Sequence, residues 1–182
     1  MLVAYDLLGT VVPADCMITH SFAPRKGFLD MVARQRALGW RIALFADDTR
    51  DEVVEVLGKA GLGRIFDEVH TGEEFDQQGL KDLSRFGEEA QVVFVGDMPR
   101  DLRAAQKYGA SFVGVPPFST REEKFDFASV QEVLEACSTG RVAELAKKRA
   151  LCKTYEGAER QEWSGEGLVL KVFPARFEAR FY

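Results

Sequence analysis

Short apolar runs alternate with segments of helical periodicity along this chain, and that alternation constrains its fold more than any other feature. The apolar runs cover residues 2–6, 40–46, 91–95 and 111–115. Helical spacing or a capping pattern marks residues 27–38, 49–61, 100–108 and 129–136. Weaker patterns predict a short strand over 64–70 and a short helix over 80–86. Such an order is typical of an α/β fold, so we predict a doubly wound parallel sheet.

The character of the chain changes after residue 137. The pattern predicts, in order, a basic helix, a polar loop and two strands around Pro174, over residues 142–152, 156–166 and 167–182. We therefore predict two domains, an α/β core over residues 1–137 and a C-terminal extension over residues 138–182. A helix and a β-hairpin would form this extension, which either covers a sheet edge or mediates homo-oligomer formation.

Bulk properties exclude several classes of protein. No apolar stretch in the 182 residues approaches the length that spans a bilayer, and no basic leader precedes the first strand, so we expect a cytoplasmic protein without a membrane partner. A net charge of -5 offers no electrostatic basis for binding nucleic acid. Cys16, Cys137 and Cys152 lack CxxC spacing, which argues against a disulfide framework or a zinc site.

Acidic residues follow three of the predicted strands. Asp6 ends the first strand, Asp47 and Asp48 follow the second, and Asp97 with Asp101 follows the strand over residues 91–95. Because parallel strands bring their carboxyl ends to one edge of a sheet, these carboxylates would converge there. Converging carboxylates repel and need a cation, and hard oxygen ligands beside a phosphate favour Mg²⁺. The alternative for Asp6 is a helix or turn cap on the next segment, whereas a helix cap at Asp101 would be compatible with a role at this edge.

The order of these residues resembles the haloacid dehalogenase superfamily, whose phosphatases and phosphotransferases use an aspartate nucleophile. The stretch YDLLGTVV resembles the first family motif, DxDGT, and FVGDMPRDLRAAQKYGA resembles the fourth, GDxxxD followed by a helix. Lys81, in GLKDL, stands where the third motif has its lysine. The resemblance covers residues 2–136 and implies the Rossmann-like core of that superfamily.

The resemblance also implies a role for each matching acid. Asp6 would be the nucleophile and a Mg²⁺ ligand, and the backbone carbonyl of Leu8 would be a second ligand. Asp97 would complete the metal ligands of the protein, and Asp101 would bind or orient the metal. The implied cofactor is Mg²⁺, and the implied partner is a phosphorylated substrate.

Phosphate-binding residues are implied in the same way. Lys81 would neutralise the phosphoryl oxygens and keep the nucleophile ionised, unless it is an ordinary exposed helix lysine. Thr10 would fix the shape of the first loop. The second family motif ends in Ser or Thr, but this chain has Ala46 or Asp47 there, and neither supplies a hydroxyl. Asp47 and Asp48 are either solvated loop residues, or one of them has a raised pKa and supplies a missing acid.

A further departure concerns the proton donor. The phosphatases of the superfamily carry a second aspartate two residues after the nucleophile, and this chain has Leu8 there. Losing general acid-base help costs about 10² to 10⁴ in rate. Two hypotheses follow: a weak Mg²⁺-dependent phosphatase or phosphotransferase that forms an aspartyl-phosphate at Asp6, or an inactive binding or assembly module.

The intervals at residues 10–24 and 70–80, where the family inserts a cap domain, are too short to fold alone. We therefore predict a capless protein. An open site favours a large or protein-borne phosphate as substrate, unless the C-terminal hairpin or a second subunit forms a wall.

Overall fold

A nine-stranded sheet forms the centre of the computed structural model, which describes residues 1–86, 91–120, 125, 127–158, 160–165, 167–172 and 177–182. The strands are β1 (Leu2–Tyr5), β2 (Arg41–Phe45), β3 (Glu68–His70), β4 (Val92–Gly96), β5 (Ser111–Gly114), β6 (Cys152–Glu156), β7 (Gln161–Gly165), β8 (Leu168–Val172) and β9 (Phe177–Phe181). Their order across the sheet is β3-β2-β1-β4-β5-β9-β8-β7-β6.

Helices of the described chain cover this sheet. They are α1 (Cys16–Thr19), α2 (Phe28–Ala37), α3 (Arg50–Lys59), α4 (Pro99–Lys107), α5 (Ala128–Ser138) and α6 (Val142–Lys148). Two 3₁₀ turns, Gly72–Glu74 and Leu83–Phe86, lie between β3 and β4. None of the helices in these ranges is long and apolar enough to cross a bilayer.

The strands β1 to β5 pair in parallel, and the alternation of side chains along them builds two cores. Val3 and Tyr5 of β1 belong to one hydrophobic cluster, whereas Leu2 and Ala4 belong to the cluster on the opposite face. Buried residues of α2, α3 and α5 join the first cluster, and those of α4 join the second. With helices on both faces, the central strands are apolar throughout, and the predicted doubly wound α/β fold is confirmed.

The C-terminal extension continues the sheet instead of standing apart from it. It contains the predicted helix and β-strands, but β6, β7, β8 and β9 form an antiparallel set of four strands. The last of them, β9, pairs in parallel with β5 and so covers the edge of the core sheet. The division of the chain into domains over residues 1–137 and 138–182 stays a prediction.

Two local predictions for the extension are wrong. The helix predicted over residues 142–152 ends at Lys148, because the chain enters the left-handed region at Ala150, with φ 52°, and then starts β6. The loop predicted over residues 156–166 contains β7. Pro174, where we predict the turn between the last strands, lies outside the described residues.

The strand and the helix predicted over residues 64–86 are also shorter than expected. The strand predicted over residues 64–70 is limited to Glu68–His70. The helix predicted over residues 80–86 is a single 3₁₀ turn, and Lys81 precedes it in an isolated β-bridge with Phe75. This loop carries Lys81 to the carboxyl edge of the sheet.

Candidate active site

The carboxyl ends of β1 and β4 lie side by side and define the candidate site. The backbone N–H of Asp6 donates a hydrogen bond of 2.9 Å to the carbonyl of Val95, which fixes the point where β1 leaves the sheet. Thr10 is fully buried, and its hydroxyl lies 3.1 Å from Asp6 Oδ2 and 3.0 Å from Asp97 Oδ1. One hydroxyl thus ties the loop after β1 to the carboxylates of both strands.

Lys81 lies at the centre of these carboxylates. Its Nζ lies 2.6 Å from Asp6 Oδ1, 2.8 Å from Asp101 Oδ1 and 3.2 Å from Asp47 Oδ1. Burial alone lowers the pKa of a lysine, but the charges of Asp6 and Asp101 outweigh it, so the pKa of Lys81 is raised. Lys81 is only 3% exposed, so the alternative of an ordinary exposed helix lysine is wrong.

Three carboxylates form a cluster beside Lys81. One oxygen atom from each of Asp6, Asp97 and Asp101 lies within 4.8 Å of the other two. Burial, with the charge of Asp6, raises the pKa of Asp97 to about 7, and burial also raises the pKa of Asp101. When all three acids are ionised, the cluster carries more negative charge than Lys81 alone balances.

Asp101 has two partners, so it caps a helix and also belongs to the cluster of acids. Its Oδ2 accepts a hydrogen bond of 3.1 Å from the backbone N–H of Met98, which caps α4, while its Oδ1 faces Lys81. The cap positions the carboxylate toward the cluster, so the helix-cap interpretation and the site interpretation are compatible.

Two glycines allow the carboxylates to approach the backbone. Gly9 has φ 83°, and a Cβ atom there would lie 2.6 Å from Asp97 Oδ2. A Cβ atom at Gly96 would collide with the carboxylate of Asp101. Any larger residue at these two positions would displace an acid of the cluster.

The donor set of this cluster fits a hard divalent cation. Three carboxylates in a buried cluster are the oxygen ligands that Mg²⁺ takes in proteins, and an added cation would relieve their mutual repulsion. Within the described part of the chain, no backbone N–H donates a hydrogen bond to the carbonyl oxygen of Leu8. Asp6, Asp97 and Asp101, together with this carbonyl, are the residues that could hold the ion.

The end of β2 provides Ala46 and Asp47, whose phosphate-binding role stays a prediction. Ala46 is fully buried, and its N–H donates a 3.0 Å hydrogen bond to the carbonyl of His70, so this residue offers neither a hydroxyl nor a free N–H. Asp47 is ion-paired with Lys81 and with Arg100, so the interpretation of Asp47 as a solvated loop residue is wrong. The sequence did not predict a role for Arg100, because nothing in the motif GDMPRD distinguishes it from an exposed helix residue.

Asp48 is half-buried and lies two residues before α3. Burial raises its pKa, and the charges of Glu52 and Asp6 add to this rise. A carboxyl group with a raised pKa close to the cluster keeps Asp48 as a candidate proton donor.

Comparison with known proteins identifies the class to which this fold and site belong. The family model for haloacid dehalogenase-like hydrolases matches residues 14–115, which is 102 of the 182 residues and more than half of the chain. The chain belongs to the haloacid dehalogenase-like hydrolase family. The matched segment includes Lys81, Asp97 and Asp101 and begins after Asp6.

Solved structures agree at the level of the fold. One is a predicted phosphoglycolate phosphatase from Haemophilus somnus 129pt (14% identity, TM-score 0.56, 73% of this chain and 97% of that chain). Another is CbbY from Rhodobacter sphaeroides in complex with phosphate (15% identity, TM-score 0.54, 68% and 89%). A third is D,D-heptose 1,7-bisphosphate phosphatase from B. bronchiseptica complexed with magnesium and phosphate (21% identity, TM-score 0.54, 74% and 97%). No sequence among the curated proteins matches this chain significantly.

Proposed function

We propose that this protein is a Mg²⁺-dependent phosphatase or phosphotransferase with Asp6 as its nucleophile. The observation that carries the proposal is the 2.6 Å contact between Asp6 Oδ1 and Lys81 Nζ inside a buried cluster of acids. A buried cation beside the carboxylate of Asp6 provides positive charge where phosphoryl oxygens would bind. The solved relative from B. bronchiseptica, which is complexed with magnesium and phosphate, supports the same class of substrate.

The chemistry would proceed in two displacements at phosphorus. In the first, a carboxylate oxygen of Asp6 forms a bond to phosphorus as the bond to the leaving oxygen breaks, and the electron pair departs with that oxygen. In the second, water attacks phosphorus, the bond to Asp6 breaks, and inorganic phosphate and the free carboxylate result. In a phosphotransferase an alcohol would replace water in the second displacement.

The residues of the chain would divide this work. Thr10 holds the carboxylate of Asp6 in position, and Lys81 faces the oxygens that gain charge. Asp6, Asp97, Asp101 and the carbonyl of Leu8 would hold Mg²⁺, which would supply further positive charge at the phosphoryl group. The side chain of Leu8 transfers no proton, so the first displacement would be slow for a poor leaving group.

The second candidate function is a binding or assembly module that has lost catalysis. Two observations favour it: position 8 holds Leu8 in place of an acid, and Ala46 presents no hydroxyl at the end of β2. Both functions require the same fold, so only turnover separates them.

The test is hydrolysis of 4-nitrophenyl phosphate in the presence of Mg²⁺. We expect Asp6→Asn to lower kcat by about 10⁴-fold or more, as removal of a nucleophile does in other enzymes. Asp30→Asn, which changes an exposed acid of α2, is the matched control and should keep the wild-type rate. Equal rates in wild type and Asp6→Asn would refute the catalytic proposal and favour the binding module.

A further inference from the structure

We propose that a cavity beside the carboxylate cluster binds the leaving group of the substrate, and that this substrate is a phosphate ester of an aromatic alcohol. The proposal rests on the proposed function, since it names the substrate class of the same site. Two independent observations carry it, the composition of the cavity and the side chain at position 8.

The direction of β9 brings its carboxyl end to the site. The strand β9 pairs in parallel with β5, with Val113 opposite Ala179 and Gly114 opposite Arg180. Its carboxyl end therefore reaches the same edge of the sheet as the ends of β1 and β4, where the acids lie. Among the described strands of the extension, β9 is the one that pairs with a strand of the core.

A cavity of about 470 Å³ lies between β9 and the loops after β4 and β5. Asp97 of the acid cluster lines it, together with Leu102, Val115, Phe181 and Tyr182. Its volume falls in the range of about 300 to 1,000 Å³ that small-molecule sites occupy. The cavity thus offers room for a small group attached to a phosphate held at the acids.

The chemistry of this cavity selects an apolar group. Among the described residues that line it, the charged ones are Asp97 and Arg180, and Arg180 is ion-paired with Glu178 at 3.0 Å. Apart from the Tyr182 hydroxyl, the remaining lining side chains are apolar. The hydroxyl groups of a sugar would lose their hydrogen bonds to water there, whereas an aromatic ring would bury apolar surface.

The side chain at position 8 selects the same class independently. Leu8 gives no proton to a departing oxygen, and Asp48, the other candidate donor, does not line the cavity, so a leaving group held there departs as an anion. A phenol, with a pKa of about 10, departs far more readily in this form than an aliphatic alcohol, whose acidity is close to that of water at about 15.7. An aromatic alcohol therefore suits both the missing acid and the apolar wall.

The first experiment compares two esters with the same ten-carbon skeleton, 2-naphthyl phosphate and decahydro-2-naphthyl phosphate, with Mg²⁺ present. We expect a kcat/KM at least about 10²-fold higher for the aryl ester, the lower end of what general acid catalysis supplies. Comparable kcat/KM values for the two esters would overturn the proposal.

The second experiment fills the cavity and measures binding without turnover. In the Asp6→Asn background, Leu102→Trp should weaken binding of 2-naphthyl phosphate about tenfold by calorimetry, because it occupies the space of the ring. Leu29→Trp makes the same change on an exposed face of α2 and should leave the Kd unchanged. Tyr182→Ala, at an exposed position, provides a second cavity variant whose folding does not depend on core packing.

The two experiments separate failure of this proposal from failure of catalysis. Binding that ignores both cavity variants overturns the cavity as the site, even if phosphate esters are hydrolysed. Binding that depends on the cavity, without turnover of any ester, supports the ligand class and refutes the proposed catalytic function. Thermal unfolding of each variant checks that it is folded.

Discussion

The ammonium group of Lys81 and the carboxylate of Asp6 lie 2.6 Å apart, although 75 positions separate them in the chain. Both side chains are almost completely buried, and Lys81 also contacts Asp101 at 2.8 Å. A buried ion pair is weak support for stability, because desolvation offsets its attraction. Its position at the edge of the sheet, inside an acid cluster, is the one that the proposed catalytic role requires.

Removal of this cation should destabilise the protein. We expect Lys81→Met to lower the free energy of unfolding by about 3 to 5 kcal/mol, because it leaves buried carboxylates without a partner. Urea titration of the metal-free protein measures the change. The matched control is Lys59→Met, which breaks an exposed pair with Glu55 and should change stability by no more than about 0.5 kcal/mol. Equal effects of the two changes would contradict the buried pairing.

Replacement of Gly9 should perturb the cluster more than replacement of a comparable glycine elsewhere. Gly9→Ala and Gly39→Ala both place a side chain at positive φ, 83° and 74° respectively, which strains the backbone by about 1 kcal/mol. Only at Gly9 would the new Cβ press on Asp97, because the space around Gly39 is open. We expect Gly9→Ala to be the less stable in urea and to bind Mg²⁺ more weakly by calorimetry. Similar results for both variants would mean that Asp97 is not held against the loop.

An acid at position 8 should restore hydrolysis of poor leaving groups. We expect Leu8→Asp to raise kcat for an alkyl phosphate by about 10² to 10⁴, the usual contribution of a general acid. Leu8→Asn, of similar size but without a titrating proton, is the control. A Leu8→Asp variant as inactive as its control would point to a loss that extends beyond the missing acid, as the binding-module alternative requires.

The stability of the metal-free protein should fall as pH rises. Asp97 titrates near 3.8 when unfolded and at about 7 when folded, so between these values the folded state binds more protons. The contribution of Asp97 to the free energy of unfolding is therefore most favourable below about pH 4 and is lost progressively as the pH rises to about 7. Because Mg²⁺ requires the ionised acids, we expect it to raise Tm more at pH 8 than at pH 5, measured by calorimetry against EDTA. Equal shifts at the two pH values, or the same pH dependence in Asp97→Asn, would contradict this assignment.

Much of the core could be predicted from the sequence because its signals are local. The strands that end just before Asp6 and Asp97 are buried on both faces and appear as continuous apolar runs. The extension lacks such signals: Trp163 is the one buried residue of β7, and β6 is exposed along its whole length. An edge strand with few buried side chains has no clear period in its sequence.

The site could be predicted only in part, for a related reason. Asp97 and Asp101 share one motif, so their proximity follows from a strand that ends before a helix. The contacts of Lys81 depend on an irregular loop, and the pair of Arg100 with Asp47 joins two separate elements. The parallel pairing of β9 with β5 is equally non-local, and no pattern within β9 specifies it.

Chemical trapping of phosphorylated Asp6 tests the central claim most directly. The protein is incubated with Mg²⁺ and 2-naphthyl phosphate, reduced with borohydride, which converts an aspartyl-phosphate to homoserine, and digested for mass spectrometry. We predict homoserine at position 6 in the wild-type protein and none in Asp6→Asn. If the protein hydrolyses the ester and Asp6 is still unmodified, or if another carboxylate is reduced in its place, the result would contradict the account.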